Sequence, residues 1–540
     1  MFMRFMPTLP ELKPDYYRDN FLKLTHHARY WYGDLLHSHE HAWLTSFDAL
    51  SAPAQCLLVR MLARKGRWFR TDKLNYSEIP DITVSLFELA GDQFIALPEQ
   101  VELKTLAEQL LTKPEILALW PNTNRQRRKE QLVASLPDST QIHTEALAFQ
   151  PIELQHANII RLLLVLFFAN THQDLSQFVL DDLGVHRFEA YQLSKERRFF
   201  TDREQIDQLL LLSELADAYW LCDRKNIHQL KELLSALPPK SEHPYIQRKQ
   251  EHLINDIARD LERQGDWESA LHWFKTTRLP PSRERRARIY DKQSQLNLLS
   301  DTVTEMYHRP LDRAEFEVAE KLSALLKRRQ GNKVPRPVKP NCDEIHLNLQ
   351  LDQRVELACL DHFQREGWRV YYSENTLLNG LFGLAFWSVI FAPVEGAFIN
   401  AYQYRPLDLY HDDFYAKREQ QIEAVFSQVE LQGLNWINEV YQAKFGINNP
   451  FVHWNSLTSQ LLQEAIEAIP SETVSALFRI QLSDLKLYRN GMPDLIAFKD
   501  GHYRWIEVKG PGDKLQDNQW RWIKHYQALN IPFSVCYVNH

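Results

Sequence analysis

Residues 491–510 read GMPDLIAFKDGHYRWIEVKG. Two acids, Asp494 and Glu507, and one ammonium, Lys509, fall on what reads as a single hairpin. The segments DLIAF and YRWIEVK are short and β-prone. Asp500-Gly501 between them is a strong turn signal, because both central positions of a type I′ turn need positive φ. Asp494 lies six residues before Asp500 and Glu507 six after Gly501, so this turn sets the two carboxylates directly opposite one another. Directly opposed residues have Cβ atoms about 4.5–5.5 Å apart, and like charges there repel. A divalent cation between them reverses that sign, and oxygen-only ligands select Mg²⁺ or Mn²⁺ over zinc. Such an ion polarises a phosphoryl oxygen and helps generate hydroxide. Lys509 is two residues beyond Glu507, on the same strand face, where an ammonium positions water or stabilises charge. The competing reading is an exposed hairpin with ordinary surface charges. Against it stand Pro493 before Asp494, Gly510-Pro511-Gly512 after Lys509, an amphipathic helix in KLQDNQWRWIKHYQAL and a closing strand in PFSVCYV.

The elements that must hold this hairpin belong to a long chain. With 540 residues, three or four compact regions are expected. Composition is that of an ordinary globular protein, 44% hydrophobic and 25% charged. A net charge of −7 excludes a uniformly basic nucleic-acid coat, so any nucleic-acid surface is a local patch. The five cysteines are scattered singly, which supports neither a zinc ribbon nor a disulfide framework and points to a reducing, cytoplasmic compartment. The first residues lack the apolar run and cleavage site of a signal peptide. Residues 376–394, TLLNGLFGLAFWSVIFAPV, carry no charge and approach the length of a membrane span. Their Asn and Gly residues and the missing positive flank favour a buried core helix.

Residues 1–150 read as a helical region. Leu57, Leu58, Met61 and Leu62 have helical spacing, and Arg60, Arg64, Lys65, Arg67 and Arg70 then interleave with Trp68 and Phe69. That pattern suits a winged-helix-like module touching phosphates, or equally a solvated basic face beside a core Trp. Residues 104–137 read as two short helices around a basic turn with Arg125, Arg127, Arg128 and Lys129, similar to a SAP-type DNA-binding module. Residues 151–330 are helix after helix. In LINDIARDLERQGDWESALHWFKTT the first helix ends near Arg263 and Ala270 packs the second, a tetratricopeptide-like rhythm. SRERRAR follows, with Arg283, Arg285, Arg286 and Arg288 as a solvated face or a phosphate guide. The Pro-rich, cationic stretch KRRQGNKVPRPVKPNCDE places a linker at 331–345 and the catalytic domain at 346–540.

GMPDLIAF followed by IEVKGPGDKLQDNQWRWI resembles the VRR-type nuclease domain, a branch of the P-D…(D/E)-x-K superfamily. YYSENTLLNGLFGLAFWSVIF, FINAYQYRPLDLYHDDFYAKR and LLVRMLARKGRWFRTDKLNY extend the resemblance to Fanconi-associated nucleases over nearly the whole chain. The resemblance implies a mostly α, multidomain protein with a C-terminal α/β restriction-endonuclease-like domain. It implies a structure-selective DNA endo- or exonuclease that cuts near 5′ flaps and branched junctions in interstrand crosslink repair, with Mn²⁺ or Mg²⁺. By motif position it assigns Asp494, Glu507, the distant acid Glu374 and the Val508 backbone carbonyl to the metal, Lys509 to catalysis and Gln519 to the reacting phosphate. Glu374 follows Ser373, which reads as an N-cap, so it is expected in the first turn of the apolar helix. Lys486 and Arg489, just ahead of the Pro-Asp step, are expected to touch the scissile strand. Animal members carry a ubiquitin-binding zinc finger whose clustered Cys and His do not appear here, so a bacterial member without ubiquitin recruitment is expected. Alternatives are a junction resolvase and a non-catalytic scaffold for branched DNA.

Overall fold

The computed structural model describes residues 12–120, 125–173, 178, 186–335, 340 and 342–539. They fall into two compact units, one of residues up to 185 with 200–213, the other of 186–199 with 214 onward.

In the first unit, helices Tyr16–Tyr32, Ser38–Ala49, Ala52–Leu62 and Ile82–Gly91 enclose a core in which Phe21 packs edge-on against Phe47 and Trp43 stacks on Phe47. Local chemistry starts these helices. The Ser51 hydroxyl accepts from the Ala54 amide, Pro53 occupies the first turn, and the Asp81 carboxylate accepts from the Val84 amide at 3.0 Å. Three short strands, β1 (Trp68–Arg70), β2 (Ile95–Ala96) and β5 (Pro151–Leu154), form an antiparallel sheet in the order β1-β5-β2. These helices with a small antiparallel sheet make a winged-helix-like arrangement. Because β5 pairs with β1, a boundary at residue 150 would cut this sheet, and the first unit runs beyond it. A satellite core of Val101, Leu106, Ile116 and Leu132 lies where the SAP-like module was expected, beside the strand pair β3 (Gln100–Glu102) and β4 (Gln141–His143). Part of its basic turn, 121–124, lies outside the described residues.

In the second unit, helices Ile227–Ser235, Pro244–Arg263, Trp267–Thr276, Ser282–Lys292, Leu296–His308 and Arg313–Arg329 pack each on the next. They lead to a five-stranded sheet in the order β6-β10-β9-β8-β7: β6 (Asp343–Asn348), β7 (Arg369–Tyr372), β8 (Leu495–Lys499), β9 (His502–Lys509) and β10 (Phe533–Asn539). β10 is parallel to both neighbours, whereas β8 is antiparallel to β7 and β9. β6 begins at Asp343 because its residues pair with β10, so the linker expected at 331–345 ends earlier. Leu495, Ala497, Ile506 and Val508 face helix Val355–Arg365 through Cys359 and Phe363. Ile496, Phe498 and Trp505 face the larger core with Trp522, Ile523 and Tyr526 of helix Asp517–Ala528. Both faces are covered, which accounts for the near-continuous apolar runs of the inner strands.

The apolar segment at 376–394 is a buried core element, but it forms two helices, Leu377–Ala385 and Trp387–Ile390, not one. Among the described residues no helix is long and apolar enough to cross a membrane.

Candidate active site

The β8–β9 turn has Asp500 at φ +50° and Gly501 at φ +77°, the positive values a type I′ turn requires. The register follows: Lys499 pairs with His502, Ile496 with Trp505 and Leu495 with Ile506. Asp494 therefore stands one step ahead of the paired residues, opposite Glu507. Its side chain shares the sheet face of Ile496 and Phe498, and Glu507 and Lys509 share that of Trp505. All three are buried, at 8%, 2% and 7% exposure respectively, so the surface-charge reading of the hairpin fails.

Each group is held. Lys509 Nζ lies 2.8 Å from Glu507 Oε1, and Gln519 of helix Asp517–Ala528 donates its side-chain amide to the same oxygen. The Val508 amide donates to Asp494 Oδ2 at 2.8 Å. Among the described residues, Asp494 Oδ1 and Glu507 Oε2 accept no hydrogen bond. Burial, with the charges of Glu374 and Glu356 adding to it, pushes the Asp494 carboxyl up to about 6 against the Val508 amide and Lys509. Burial and the neighbouring Asp494 push Glu507 up to about 8. Acids with spare hard oxygen donors and too little compensating charge suit a divalent oxygen-seeking cation. Among the described residues, no three His, Cys, Asp or Glu side chains are already gathered around one point for a metal.

Glu374 is placed differently from the expectation. Helix Leu377–Ala385 starts after Thr376, and Ser373 does not cap it. Ser373 instead continues β7, its amide donating to the Asp494 carbonyl at 2.8 Å. Glu374 thus sits in the tight connection between β7 and the helix, exposed, with its carboxylate accepting from the Tyr372 hydroxyl and, at 3.3 Å, from the Asn375 amide group.

The loop before Asp494 is fixed by residues that pattern reading missed. Gly491 has φ +86°, and a Cβ there would stand 2.7 Å from the Asn518 carbonyl carbon, so only glycine lets this loop lie against the start of helix Asp517–Ala528. Asn379 donates to the carbonyls of Asn375 (2.7 Å) and Arg489 (2.8 Å) and accepts from Gln481 (2.9 Å). The available signal was a lone asparagine in an otherwise apolar helix, which when buried must find partners.

The expected basic residues divide. Arg70 is buried against Phe149, paired with Asp72 and Glu115. Arg60 gives two donors to Glu78 and covers the Tyr17 ring. Arg283 is buried between Glu315 and Glu305, and Arg285 is bidentate to Glu262. Arg286 is half-buried, and exposed Arg288 pairs with Glu284. Arg60, Arg70, Arg283 and Arg285 are satisfied by carboxylates from elsewhere in their own unit, whereas Arg288 pairs only within its own helix and Arg286 has no carboxylate partner among the described residues. Lys129 reaches the Glu108 carbonyl at 2.7 Å and Arg67 pairs with Glu153. Arg64, Lys65, Arg125, Arg127 and Arg128 are exposed in the first unit, and Lys486 and Arg489 in the second. None of these seven has a carboxylate partner among the described residues; Arg489 donates to the Tyr410 hydroxyl at 2.8 Å.

Comparison with known proteins places the chain in a family. Residues 15–96 match the FAN1 HTH domain and residues 429–540 the VRR-NUC domain. The chain is 33% identical to the Fanconi-associated nuclease 1 homolog of Pseudomonas aeruginosa over 98% of its own length and 97% of that protein. It is 24% identical to Fanconi-associated nuclease 1 of Homo sapiens, covering 93% of this chain and 60% of that protein. A crystal structure of paFAN1 bound to 2nt 5′flap DNA with gap superposes with a TM-score of 0.87 at 33% identity, covering 99% of both chains. The matched nuclease domain is of a metal-dependent kind. The protein is a phosphodiesterase, and the chain belongs to the Fanconi-associated nuclease family.

Proposed function

We propose that the protein cleaves phosphodiester bonds beside 5′ flaps and branched junctions in DNA repair, in the bacterial cytoplasm, with Mn²⁺ or Mg²⁺. The observation that carries this reading is the burial of Asp494, Glu507 and Lys509 on one hairpin face, with both carboxyls pushed up in pKa. Groups perturbed by burial and by one another mark a working site. Asp494 and Glu507, with Glu374 and the Val508 carbonyl, would hold the cation. When bound, it supplies Lewis acidity toward a phosphoryl oxygen. Gln519 and Lys509 fix Glu507 through Oε1, which leaves Oε2 to face the reacting groups. The Lys509 ammonium stabilises charge on the phosphate as water attacks in line with the leaving oxygen. Lys486 and Arg489 precede Asp494 on the same segment and contact the scissile strand. Arg64, Lys65, Arg125, Arg127 and Arg128 contact duplex phosphates. Recognition through phosphates reads shape and weakens steeply with salt.

The test is cleavage by the full chain of labelled 5′-flap, nicked and four-way DNA, with Mn²⁺, Mg²⁺ or a chelator. Metal-dependent incision near the flap is expected, and Asp494→Ala abolishes it. Paired symmetric cuts confined to four-way DNA would turn the reading to a resolvase. Intact flap DNA that is still bound would turn it to a scaffold.

A further inference from the structure

Glu374 lies in a connection where nothing about its own backbone fixes its carboxylate. It is exposed, outside any helix, and follows an edge strand. An exposed glutamate samples several rotamers, and ordering a long side chain costs about 1–2 kcal/mol. A carboxylate that must meet Asp494 and Glu507 at a reacting centre cannot be left to that freedom, because a misplacement of roughly 1 Å can cost 10²-fold in rate.

Two neighbours remove the freedom. The Tyr372 hydroxyl donates to Glu374 Oε2, and Asn375 Nδ2 donates to Oε1 at 3.3 Å, so both oxygens are occupied. Each neighbour is itself anchored. The Arg354 guanidinium lies over the Tyr372 ring and reaches its hydroxyl at 3.4 Å, which leaves the phenolic proton for Glu374. Asn375 adopts φ +51°, a conformation asparagine tolerates better than most residues. That backbone turns its side chain so that Oδ1 accepts from the Met492 amide at 3.1 Å. One asparagine thus binds the Glu374 carboxylate with its nitrogen and the loop leading into Pro493–Asp494 with its oxygen. The two stretches that carry these acids are over a hundred residues apart in sequence.

We propose that Tyr372 and Asn375 are positioning residues that clamp the Glu374 carboxylate at a set place relative to Asp494. The inference rests on the reading of Glu374 as a working acid of the nuclease site. Outer partners that orient a ligating carboxylate typically affect ion affinity or turnover by about 10–100-fold. Tyr372 acts only through the residue it holds, so its removal has no further effect once that residue is gone.

The test uses full-length Tyr372→Phe, Asn375→Gly and Glu374→Gln, singly and combined. Asn375→Gly keeps the backbone free to hold positive φ, and Tyr372→Phe removes a single oxygen, so at least the latter keeps the fold; thermal melts check both. Mn²⁺ affinity is measured by calorimetry on the protein alone, and kcat and KM on labelled 5′-flap DNA. Each single variant is expected to weaken Mn²⁺ binding and lower kcat by about 10-fold or more, with KM within about twofold. In the Glu374→Gln background Tyr372→Phe is expected to have no further effect, whereas Asn375→Gly keeps the part of its effect that comes from losing the Met492 amide. If Tyr372→Phe and Asn375→Gly bind Mn²⁺ and turn over like the parent while Glu374→Gln is impaired, the clamp is refuted and the functional reading stands. An additive loss from Tyr372→Phe in the Glu374→Gln background also refutes it. If Glu374→Gln itself is fully active, the reading of Glu374 fails and the clamp falls with it.

Discussion

Asp494→Asn should make the protein more stable while making it inert, and the gain should depend on pH in a calculable way. The buried Asp494 carboxyl is pushed from its ordinary value of 3.8 up to about 6. A raised carboxyl pKa means that the folded chain binds more protons than the unfolded chain between those values. The stability this group contributes is therefore fully present below about pH 4 and is lost as pH rises through about 6. Above that point the difference amounts to about 3 kcal/mol at 1.36 kcal/mol per pKa unit, and at pH 5 to roughly half as much. Asparagine has no such titration. Its carbonyl oxygen can still accept from the Val508 amide, so the one hydrogen bond to Asp494 survives. Removing the charge also relieves Glu507, whose carboxyl Asp494 helps to push up. The variant should thus exceed the parent at pH 5, by a margin that grows to about 3 kcal/mol at pH 8, read from denaturant unfolding in the presence of a chelator. Saturating Mn²⁺ should narrow the gap, since a ligand stabilises the form that binds it. A variant less stable than the parent at pH 8, or a gain that stays flat from pH 5 to 8, would refute the account of Asp494 as an uncompensated buried charge.

Gly491→Ala should destabilise the protein by about 2–3 kcal/mol, through positive φ and the contact with Asn518, and should lower kcat by misplacing Asp494; unfolding curves and single-turnover rates check both. Arg283→Ala strands Glu315 and should cost about 3–5 kcal/mol in unfolding experiments, while the salt dependence of DNA binding keeps its slope. Lys486→Ala and Arg489→Ala should show the opposite pattern: unfolding is unchanged, and the slope of log affinity against log salt falls by about 1 for each, measured by fluorescence anisotropy on flap DNA.

The hairpin was the most legible part of the chain, because a two-residue turn leaves no freedom of register and the register alone sets Glu507 opposite Asp494. The helical pair around Gly265 was legible from its turn and helical rhythm, and the structure adds that Asp266 caps Trp267–Thr276 through the Ser269 amide. The cationic runs were only partly legible. A run such as SRERRAR reads as a basic face only while its partners are unknown, and Glu262, Glu305 and Glu315 lie 20 or more residues away along the chain. Glu374 was singled out through family resemblance, but its setting was misread. A serine before an apolar run is a fair N-cap signal, yet here the Ser373 hydroxyl meets no amide, its backbone pairs with Asp494 across the sheet, and the chain turns once more before the helix begins. Such a tertiary bond leaves no local trace in sequence. The same holds for Arg418, whose bidentate pairing with Asp408 at 2.8 and 3.0 Å is sealed inside the second unit.

Strand β10 lies between β6 and β9 yet follows both in the chain. On a ribosome, every acid discussed above is therefore synthesised before the strand that flanks Glu507 on its other side. Until residues 533–539 emerge, β9 has an open edge where β10 will pair, and the floor beneath Glu507 and Lys509 is unfinished. A chain that stops before residue 533 would carry Asp494, Glu507 and Lys509 on a strand whose outer edge lacks its partner.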